Sequence, residues 1–121
     1  MKTLLVADDE YAIVEALTAL LEDEGYRVVT AANGEEALAR LAELTPDLLL
    51  LDVMMPLLDG REVLRVMREN AAWATIPVIV MSAAARPMSP AQLGTATFLR
   101  KPFDLSVLLG LIERRLAGGG V

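Results

Sequence analysis

Leu48-Leu49-Leu50-Leu51-Asp52 is an unbroken run of leucines that ends in a single carboxylate, and this run decides the fold class. A continuous apolar run of this length is typical of a parallel strand that helices cover on both faces. The composition agrees, since 55% of the 121 residues are hydrophobic and the mean hydropathy is +0.46. The wider apolar stretch to Leu58 contains Asp52 and Pro56 and is far shorter than the roughly 20 residues of a membrane-spanning helix. The run therefore predicts a buried strand.

Outward from this strand, short apolar segments alternate with helical patterns along the whole chain. The other predicted strands are Thr3–Ala7, Arg27–Ala31, Ile76–Met81 and Thr95–Leu99. The alternation predicts an α/β fold with a doubly wound, five-stranded parallel sheet and five helices, and we expect the flavodoxin-like strand order 2-1-3-4-5. We expect one domain over residues 1–117 and a flexible tail or the start of a linker at 118–121.

Four of the helices are predicted from apolar periodicity and from residues that favour helix ends. They cover approximately residues 11–21, 33–44, 59–70 and 104–116. Asn33, with Glu36 three residues later, is predicted to cap the second helix, and Asp104 is predicted to cap the last. In the region of the fourth helix, Pro87 and Pro90 allow at most a short or irregular helix.

The composition excludes several classes of site. The chain has no cysteine and no histidine, so disulfides, thiolate or imidazole metal ligands and Ser-His or Cys-His catalysis are impossible. Any bound metal must have oxygen ligands, which favours magnesium, calcium or manganese. The net charge of −6 argues against direct binding to nucleic acid or to an anionic membrane. The N-terminus does not resemble a signal peptide, and we expect a cytoplasmic protein.

Polar residues follow four of the predicted strands. Asp8 and Asp9 follow the first strand, Asp52 ends the third, Ser82 ends the fourth and Lys101 follows the fifth. Parallel sheets place their functional groups outside the carboxyl ends of the strands, so these side chains should converge. Three carboxylates close together need a positive partner, and a magnesium ion with Lys101 would supply it. Such a site suits a phosphoryl group, for which Asp52 is the candidate nucleophile and Ser82 a hydrogen-bond donor.

Each of these residues also has a purely structural interpretation. Asp8 or Asp9 could cap the first helix, and Asp52 could be a turn acid. Ser82 is an ordinary polar strand terminus, and Lys101 is an ordinary solvated lysine. The joint placement of all five after the strands favours a common site over five separate structural roles.

Four segments together resemble the receiver domain of bacterial response regulators. They are Leu-Leu-Val-Ala-Asp-Asp-Glu at 4–10, Pro-Asp-Leu-Leu-Leu-Leu-Asp-Val-Met-Met-Pro-Leu-Leu-Asp-Gly at 46–60, Pro-Val-Ile-Val-Met-Ser-Ala at 77–83 and Phe-Leu-Arg-Lys-Pro-Phe at 98–103. The resemblance covers nearly the whole chain and the motifs occur in the family's order. It implies a two-component signalling domain that catalyses only its own phosphorylation and dephosphorylation.

The resemblance also implies roles for individual residues. Asp52 would accept a phosphoryl group from a histidine kinase or phosphotransfer protein. Asp9, Asp52 and the backbone carbonyl of Met54 would ligate Mg²⁺ directly, with Asp8 acting through water, and Mn²⁺ or Ca²⁺ could substitute. Lys101 would pair with Asp52 and then with the phosphoryl oxygens.

Further implications concern the switch and its output. A cis peptide would join Lys101 to Pro102, and Ser82 and Phe98 would move on phosphorylation. The face formed by the fourth helix, fifth strand and fifth helix would then bind a downstream protein or effector domain, with the chain a monomer or a phosphorylation-dependent homodimer. The chain contains no effector domain, so a complete single-domain regulator and a receiver taken from a larger protein both stay open.

The sequence departs from the family in two places. The stretch from Ser82 to Lys101 is short, and Pro-Met-Ser-Pro at 87–90 occupies the fourth-helix region, which puts a standard dimer in doubt. Met54, two residues after Asp52, and Ala84, two after Ser82, are apolar and cannot orient an attacking water. We therefore predict a comparatively long-lived phosphoryl state.

Two alternatives come from other functional classes. A magnesium-dependent phosphatase with an aspartyl-phosphate intermediate would need an acid/base carboxylate two residues after the nucleophile, where this chain has Met54. A flavodoxin-like cofactor binder would need a phosphate loop after the first strand and aromatic contacts, but that loop is absent from the sequence and the chain has one Trp, two Tyr and two Phe. Both alternatives are weaker than the receiver interpretation.

Overall fold

The fold is described from a computed structural model, over residues 1–83 and 88–118. Ten elements alternate along the chain, and their bounds are β1 Thr3–Ala7, α1 Tyr11–Asp23, β2 Arg27–Ala31, α2 Gly34–Glu43, β3 Leu48–Asp52, α3 Gly60–Glu69, β4 Val78–Ser82, α4 Pro90–Leu93, β5 Thr97–Arg100 and α5 Leu105–Leu116. All strand pairings are parallel, and the sheet order is β2-β1-β3-β4-β5. The predicted fold class and strand order are confirmed.

Two apolar layers cover the sheet, one on each face. Side chains of α2, α3 and α4 pack with Leu49 and Leu51 on one face, in what we call core layer A. Side chains of α1 and α5 pack with Leu48 and Leu50 on the other, in core layer B. All four leucines of β3 are 0% exposed, because alternate residues of a strand point to opposite faces and both faces are covered. The leucine run is therefore buried for the reason that the sequence suggested.

The second and third helices begin at side-chain caps. The Asn33 carboxamide oxygen accepts from the Glu36 N–H at 2.8 Å, and Glu36 returns a bond by accepting from the Ala32 N–H at 2.9 Å. Asp59 likewise accepts from the Glu62 N–H at 3.1 Å. These bonds satisfy backbone donors that the first turn of a helix leaves unpaired. The cap predicted at Asn33 is confirmed.

The starts of two strands differ from the prediction. The fourth strand begins at Val78 rather than Ile76, because the Ile76 N–H is used in a turn to the Trp73 carbonyl and Pro77 has no N–H to donate. The fifth strand begins at Thr97, because the preceding Ala96 N–H bonds back to the Leu93 carbonyl at the end of α4. Both strands therefore begin after a turn has used the preceding donors.

The last helix also differs in its cap. Asp104 occupies the N-cap position of α5, as predicted, but its side chain makes no capping hydrogen bond within the described residues. Its backbone carbonyl instead accepts from the N–H groups of Val107 and Leu108.

Most of the predicted C-terminal tail lies outside the described residues. The tail expected at 118–121 is described only at Gly118, which has φ +82. Over residues 1–83 and 88–118, none of the helices combines the length and the apolar character that a membrane crossing requires.

Candidate functional site

The carboxyl ends of β1 and β3 bring three carboxylates together. These strands are neighbours with Ala7 opposite Leu51, so Asp8 and Asp52 leave the sheet side by side. Asp8 is 1% exposed and Asp52 is 4% exposed, whereas Asp9 is exposed. One carboxylate oxygen from each of the three lies within 4.8 Å of the others. The sequence prediction that these acids converge is therefore met by the geometry.

Lys101 enters the same site from the end of β5. Its Nζ lies 2.8 Å from Asp8 Oδ2, 3.4 Å from Asp52 Oδ1 and 3.8 Å from Glu10 Oε1. Its backbone N–H donates to the Ser82 carbonyl at 2.9 Å, and the peptide bond to Pro102 is cis, the isomer that the family resemblance implied. The shortest ion pair of Lys101 is thus with Asp8 rather than with Asp52.

The sequence left two roles open for Asp8, a cap at the start of the first helix and membership of the acidic site, and the structure shows features of both. Its Oδ1 accepts from the N–H of Glu10 at 3.0 Å, and Glu10 is the N-cap residue of α1. Its Oδ2 accepts from Lys101. Asp8 therefore both bonds to the backbone at the start of α1 and orients Lys101. Sequence reasoning did not identify the contact of Glu10 with Lys101, although Glu10 directly follows the acid pair.

The electrostatics single out Asp52. Burial raises its pKa from the ordinary 3.8 to about 6, and the negative charge of Asp8 adds to this effect. Lys101 opposes the shift and Asp9 adds a smaller contribution in the same direction as burial. For Lys101, burial acts to lower the pKa, but its bonds to Asp8 and Asp52 outweigh burial and raise the pKa above its usual value. The site is therefore short of positive charge.

The donor set fits a hard divalent cation. Three carboxylates with oxygens this close repel one another, and the charges of Asp8 and Asp9 add to the effect of burial in raising the pKa of Asp52. Magnesium and calcium take carboxylate, carbonyl and water oxygens. Asp9 is exposed and Asp52 lies beside it, whereas both oxygens of Asp8 already accept hydrogen bonds. Asp9 and Asp52 are therefore better placed than Asp8 for direct ligation.

The loop after β3 passes close to the carboxylates. The Gly60 N–H donates to the Val53 carbonyl at 2.8 Å, and a Cβ at Gly60 would lie only 2.5 Å from the Asp52 carbonyl oxygen. Only glycine therefore fits where α3 begins against the end of β3. The side chain of Met54 is 61% exposed.

The two predicted switch residues lie on β4 and β5. Ser82 is 1% exposed at the end of β4, where Asp52 is opposite Met81 in the sheet register. Phe98 is partly buried and packs against core layer A. Ala84, the second position predicted to affect the phosphoryl lifetime, lies outside the described residues.

Comparisons with known proteins agree with this geometry. A family model described as the response regulator receiver domain matches residues 4–113. The alkaline phosphatase synthesis transcriptional regulatory protein PhoP of Bacillus subtilis is 40% identical over 106 residues, which are 85% of this chain and 43% of PhoP. Response regulator Rre1 of Synechocystis is 37% identical over 119 residues, 95% of this chain and 52% of Rre1. The chain thus spans about half the length of these relatives.

One solved structure with the same fold was determined as a complex. It is the response regulator protein TrrA of Thermotoga maritima in complex with Mg²⁺ and BeF, which superposes with a TM-score of 0.86 at 34% identity. The match covers 96% of this chain and 99% of TrrA.

Proposed function

Because the chain belongs to the response regulator receiver domain family, we propose that Asp52 is the residue that accepts the phosphoryl group. Membership supports a role in two-component signalling, in which we propose a histidine kinase upstream and an effector downstream. The observation that carries the assignment of Asp52 is the cluster of three carboxylates beside the Lys101 ammonium. Within that cluster Asp52 alone lies at the end of the central strand β3, within reach of both the acid pair and Lys101.

The transfer step follows from the chemistry of the carboxylate. An Asp52 oxygen attacks the phosphorus of a phosphohistidine on the kinase or phosphotransfer protein, and an O–P bond forms while the P–N bond breaks. The electron pair of the broken bond stays on the imidazole of the donor. Lys101, with its Nζ 3.4 Å from Asp52, then neutralises charge on the phosphoryl oxygens.

A divalent cation completes the charge balance of the site. Asp9, Asp52 and the backbone carbonyl of Met54 would hold it directly, and Asp8 would act through water because its oxygens are engaged by Glu10 and Lys101. When bound, Mg²⁺ neutralises the carboxylates and the incoming phosphoryl oxygens. Mn²⁺ or Ca²⁺ would take the same oxygen donors.

Turnover of an external phosphate ester is disfavoured. A phosphatase that uses an aspartyl-phosphate needs an acid/base group two residues after the nucleophile, and that position is Met54, an exposed thioether. The domain is therefore proposed to catalyse only the gain and loss of its own phosphoryl group. The net charge of −6 also disfavours direct contact of this domain with nucleic acid.

Met54 bears on the lifetime of the phosphoryl group as well. Met54 follows Asp52 by two residues, its side chain is exposed, and it has no group that can align a water molecule for attack on phosphorus. Met54→Asn would add a donor and acceptor, and one aligned hydrogen bond corresponds to roughly a fivefold faster loss of phosphate. Release of inorganic phosphate from the phosphorylated protein measures this rate. An unchanged rate in Met54→Asn would count against the role of this position.

The signal would leave the site through β4 and β5. Ser82, buried at the end of β4, is proposed to donate its hydroxyl to the phosphoryl group, and Phe98 to change its packing in response. The face of α4, β5 and α5 would then bind a downstream protein, an effector domain or a second copy of the chain. We propose that the receiver unit comprises residues 1–117, with 118–121 as a tail or linker start.

The acceptor assignment is tested by intact mass after incubation with acetyl phosphate and Mg²⁺. The wild type is expected to gain the mass of one phosphoryl group, and Asp52→Asn to gain none. Asp23→Asn, an exposed acid at the end of α1, is the matched control and should behave as the wild type. Phosphorylation of Asp52→Asn at the wild-type rate would refute the assignment. Asp9→Asn keeps the acceptor but weakens a proposed ligand, so it should need a higher Mg²⁺ concentration than the wild type to react at the same rate.

A further inference from the structure

The side chain of Arg68 joins two helices. Arg68 lies in the last turn of α3 and reaches the far end of α4. Its Nη1 donates to the Ala91 carbonyl at 3.0 Å, and its Nη2 donates to the Gln92 carbonyl. Carbonyls in the last turn of a helix have no partner within the helix, so the guanidinium supplies the donors that α4 lacks.

The helix that Arg68 holds is too short to be stable alone. It has four residues, Pro90–Leu93, whereas isolated helices shorter than about 12 residues are marginal in water. At its start, Ser89 Oγ accepts from the Gln92 N–H and Gln92 Oε1 accepts from the Ser89 N–H, which is a complete capping box. Arg68 makes the corresponding contacts at its end. Side-chain contacts at both ends therefore stabilise α4 in addition to the packing of Leu93 against core layer A.

Gly94 shows how closely the guanidinium approaches the backbone. A Cβ at this position would lie 3.0 Å from Arg68 Nη2 and 3.2 Å from its Nε. Gly94 also has φ +57 and ψ −120, a conformation that favours glycine. The chain therefore turns from α4 toward β5 directly over the Arg68 side chain.

The segment held by Arg68 lies between the two residues proposed to respond to phosphorylation. Ser82 precedes it at the end of β4, and Phe98 follows it on β5. Met88, just before α4, is buried in core layer A, and Phe98 packs against the same layer. The segment that contains α4 therefore lies in the chain between the two residues proposed to move, and Met88 beside it shares core layer A with Phe98.

We infer that Arg68 is a positioning residue for the phosphorylation response, because it holds α4 in the arrangement in which Lys101 is paired with the Asp8 and Asp52 carboxylates. This inference rests on the proposed function. Hydrogen bonds weaken steeply when donor and acceptor move apart or out of line. The two bonds of Arg68 therefore stabilise one placement of α4 and oppose others. Removing them lowers the free energy needed to reach the phosphorylated arrangement.

The test is the affinity for beryllofluoride with Mg²⁺, which mimics the phosphoryl group without chemistry. Arg68→Ala is expected to bind beryllofluoride about five- to tenfold more tightly than the wild type, from the loss of two modest hydrogen bonds. Arg68→Lys keeps the charge and cannot bridge both carbonyls, so an intermediate gain is expected. Calorimetric titration measures the affinities, and the fluorescence of Trp73, which packs against core layer A, gives a second signal.

The matched control is Arg65→Ala. Arg65 lies one turn earlier on α3 and pairs with Glu62 and Glu69 on the exposed surface. It should leave beryllofluoride affinity within about twofold, the size expected for loss of surface ion pairs.

Each outcome decides between the inference and the proposed function. If Arg68→Ala or Arg68→Lys binds beryllofluoride no more tightly than the wild type and is only less stable, Arg68 is purely structural and the inference is wrong. If the wild type neither binds beryllofluoride nor gains a phosphoryl group on Asp52, the proposed function itself fails. If Arg68→Ala does not fold, the affinity of Arg68→Lys decides.

Discussion

The body of β3 and its carboxyl end are buried to nearly the same extent, but burial has opposite effects on them. Leu50 is 0% exposed and Asp52, two residues later, is 4% exposed. Burying the leucine removes apolar surface from water, which is worth about 2 kcal/mol. Burying the aspartate raises its pKa to about 6, so the charged form is less stable inside the protein than in water. One strand thus stabilises the fold along its length and carries a destabilising group at its end.

The backbone explains why Asp52 cannot avoid this cost. Asp52 is within the β-ladder opposite Met81, and the following Val53 N–H donates to the Met81 carbonyl at 3.1 Å. The carboxylate therefore stays at the edge of the sheet beside Asp8 for as long as the sheet is intact. The core supplies the stability that this functional arrangement requires, and the following predictions separate the two contributions.

The largest effect is expected in the body of the strand. Leu50→Ala removes a fully buried side chain from core layer B and leaves a cavity, which should lower the free energy of unfolding by about 3 kcal/mol. Urea denaturation measures the change. Val107→Ala is the control, since Val107 is 48% exposed on α5, and its effect should stay below about 0.5 kcal/mol. Equal effects of the two substitutions would mean that the leucine run is not the main source of stability.

The next largest loss of stability is expected at Gly60, where the loop after β3 meets the end of that strand. Gly60→Ala places a Cβ 2.5 Å from the Asp52 carbonyl oxygen, so the backbone around the site must shift, at about 2 kcal/mol of stability. Phosphorylation by acetyl phosphate should fall in the same variant. Gly110→Ala is the control on α5, where a Cβ would meet nothing within 4 Å in the described part of the chain. It should raise stability by up to about 1 kcal/mol.

The sequence predicted those features of the molecule that depend on local pattern or on topology. The leucine run, the alternation of strands and helices and the cap at Asn33 depend on local pattern, and they gave the sheet, its order and most element bounds. The convergence of Asp8, Asp9, Asp52 and Lys101 follows from topology alone, since parallel strands end at one edge.

What the sequence could not predict depends on distances in three dimensions. The preference of Lys101 for Asp8 over Asp52 is decided by a difference between 2.8 and 3.4 Å. The contact between Arg68 and α4 joins residues that are 23 and 24 positions apart. The late starts of β4 and β5 come from turns that use the preceding N–H groups. Local periodicity contains no information about such contacts.

A smaller change in the free energy of unfolding, with the opposite sign, is expected at Asp52 at the end of β3. Asp52→Asn removes the buried charge and should raise the free energy of unfolding by roughly 1–2 kcal/mol near neutral pH without divalent cations, after allowing for solvent screening at the sheet edge. Urea denaturation in the presence of a chelator measures it. Asp23→Asn, on the exposed end of α1, should change stability by less than about 0.5 kcal/mol. A destabilised Asp52→Asn would mean that Lys101 more than compensates the burial of Asp52.

The smallest expected effect is the pH dependence of the stability difference between Asp52→Asn and the wild type. The pKa of Asp52 is raised from 3.8 in the ordinary case to about 6 in the folded chain. Between these values the folded chain holds a proton that the unfolded chain has released, so stability from this group is gained as pH falls and lost as pH rises. The advantage of Asp52→Asn over the wild type should therefore shrink from its full value above about pH 6 toward zero near pH 4. Carboxylates away from the site contribute almost equally to both proteins, so the difference reports on Asp52 and its coupling to Asp8 and Asp9. A difference that stays constant across this range would show that the charge of Asp52 is not what separates the end of β3 from its body.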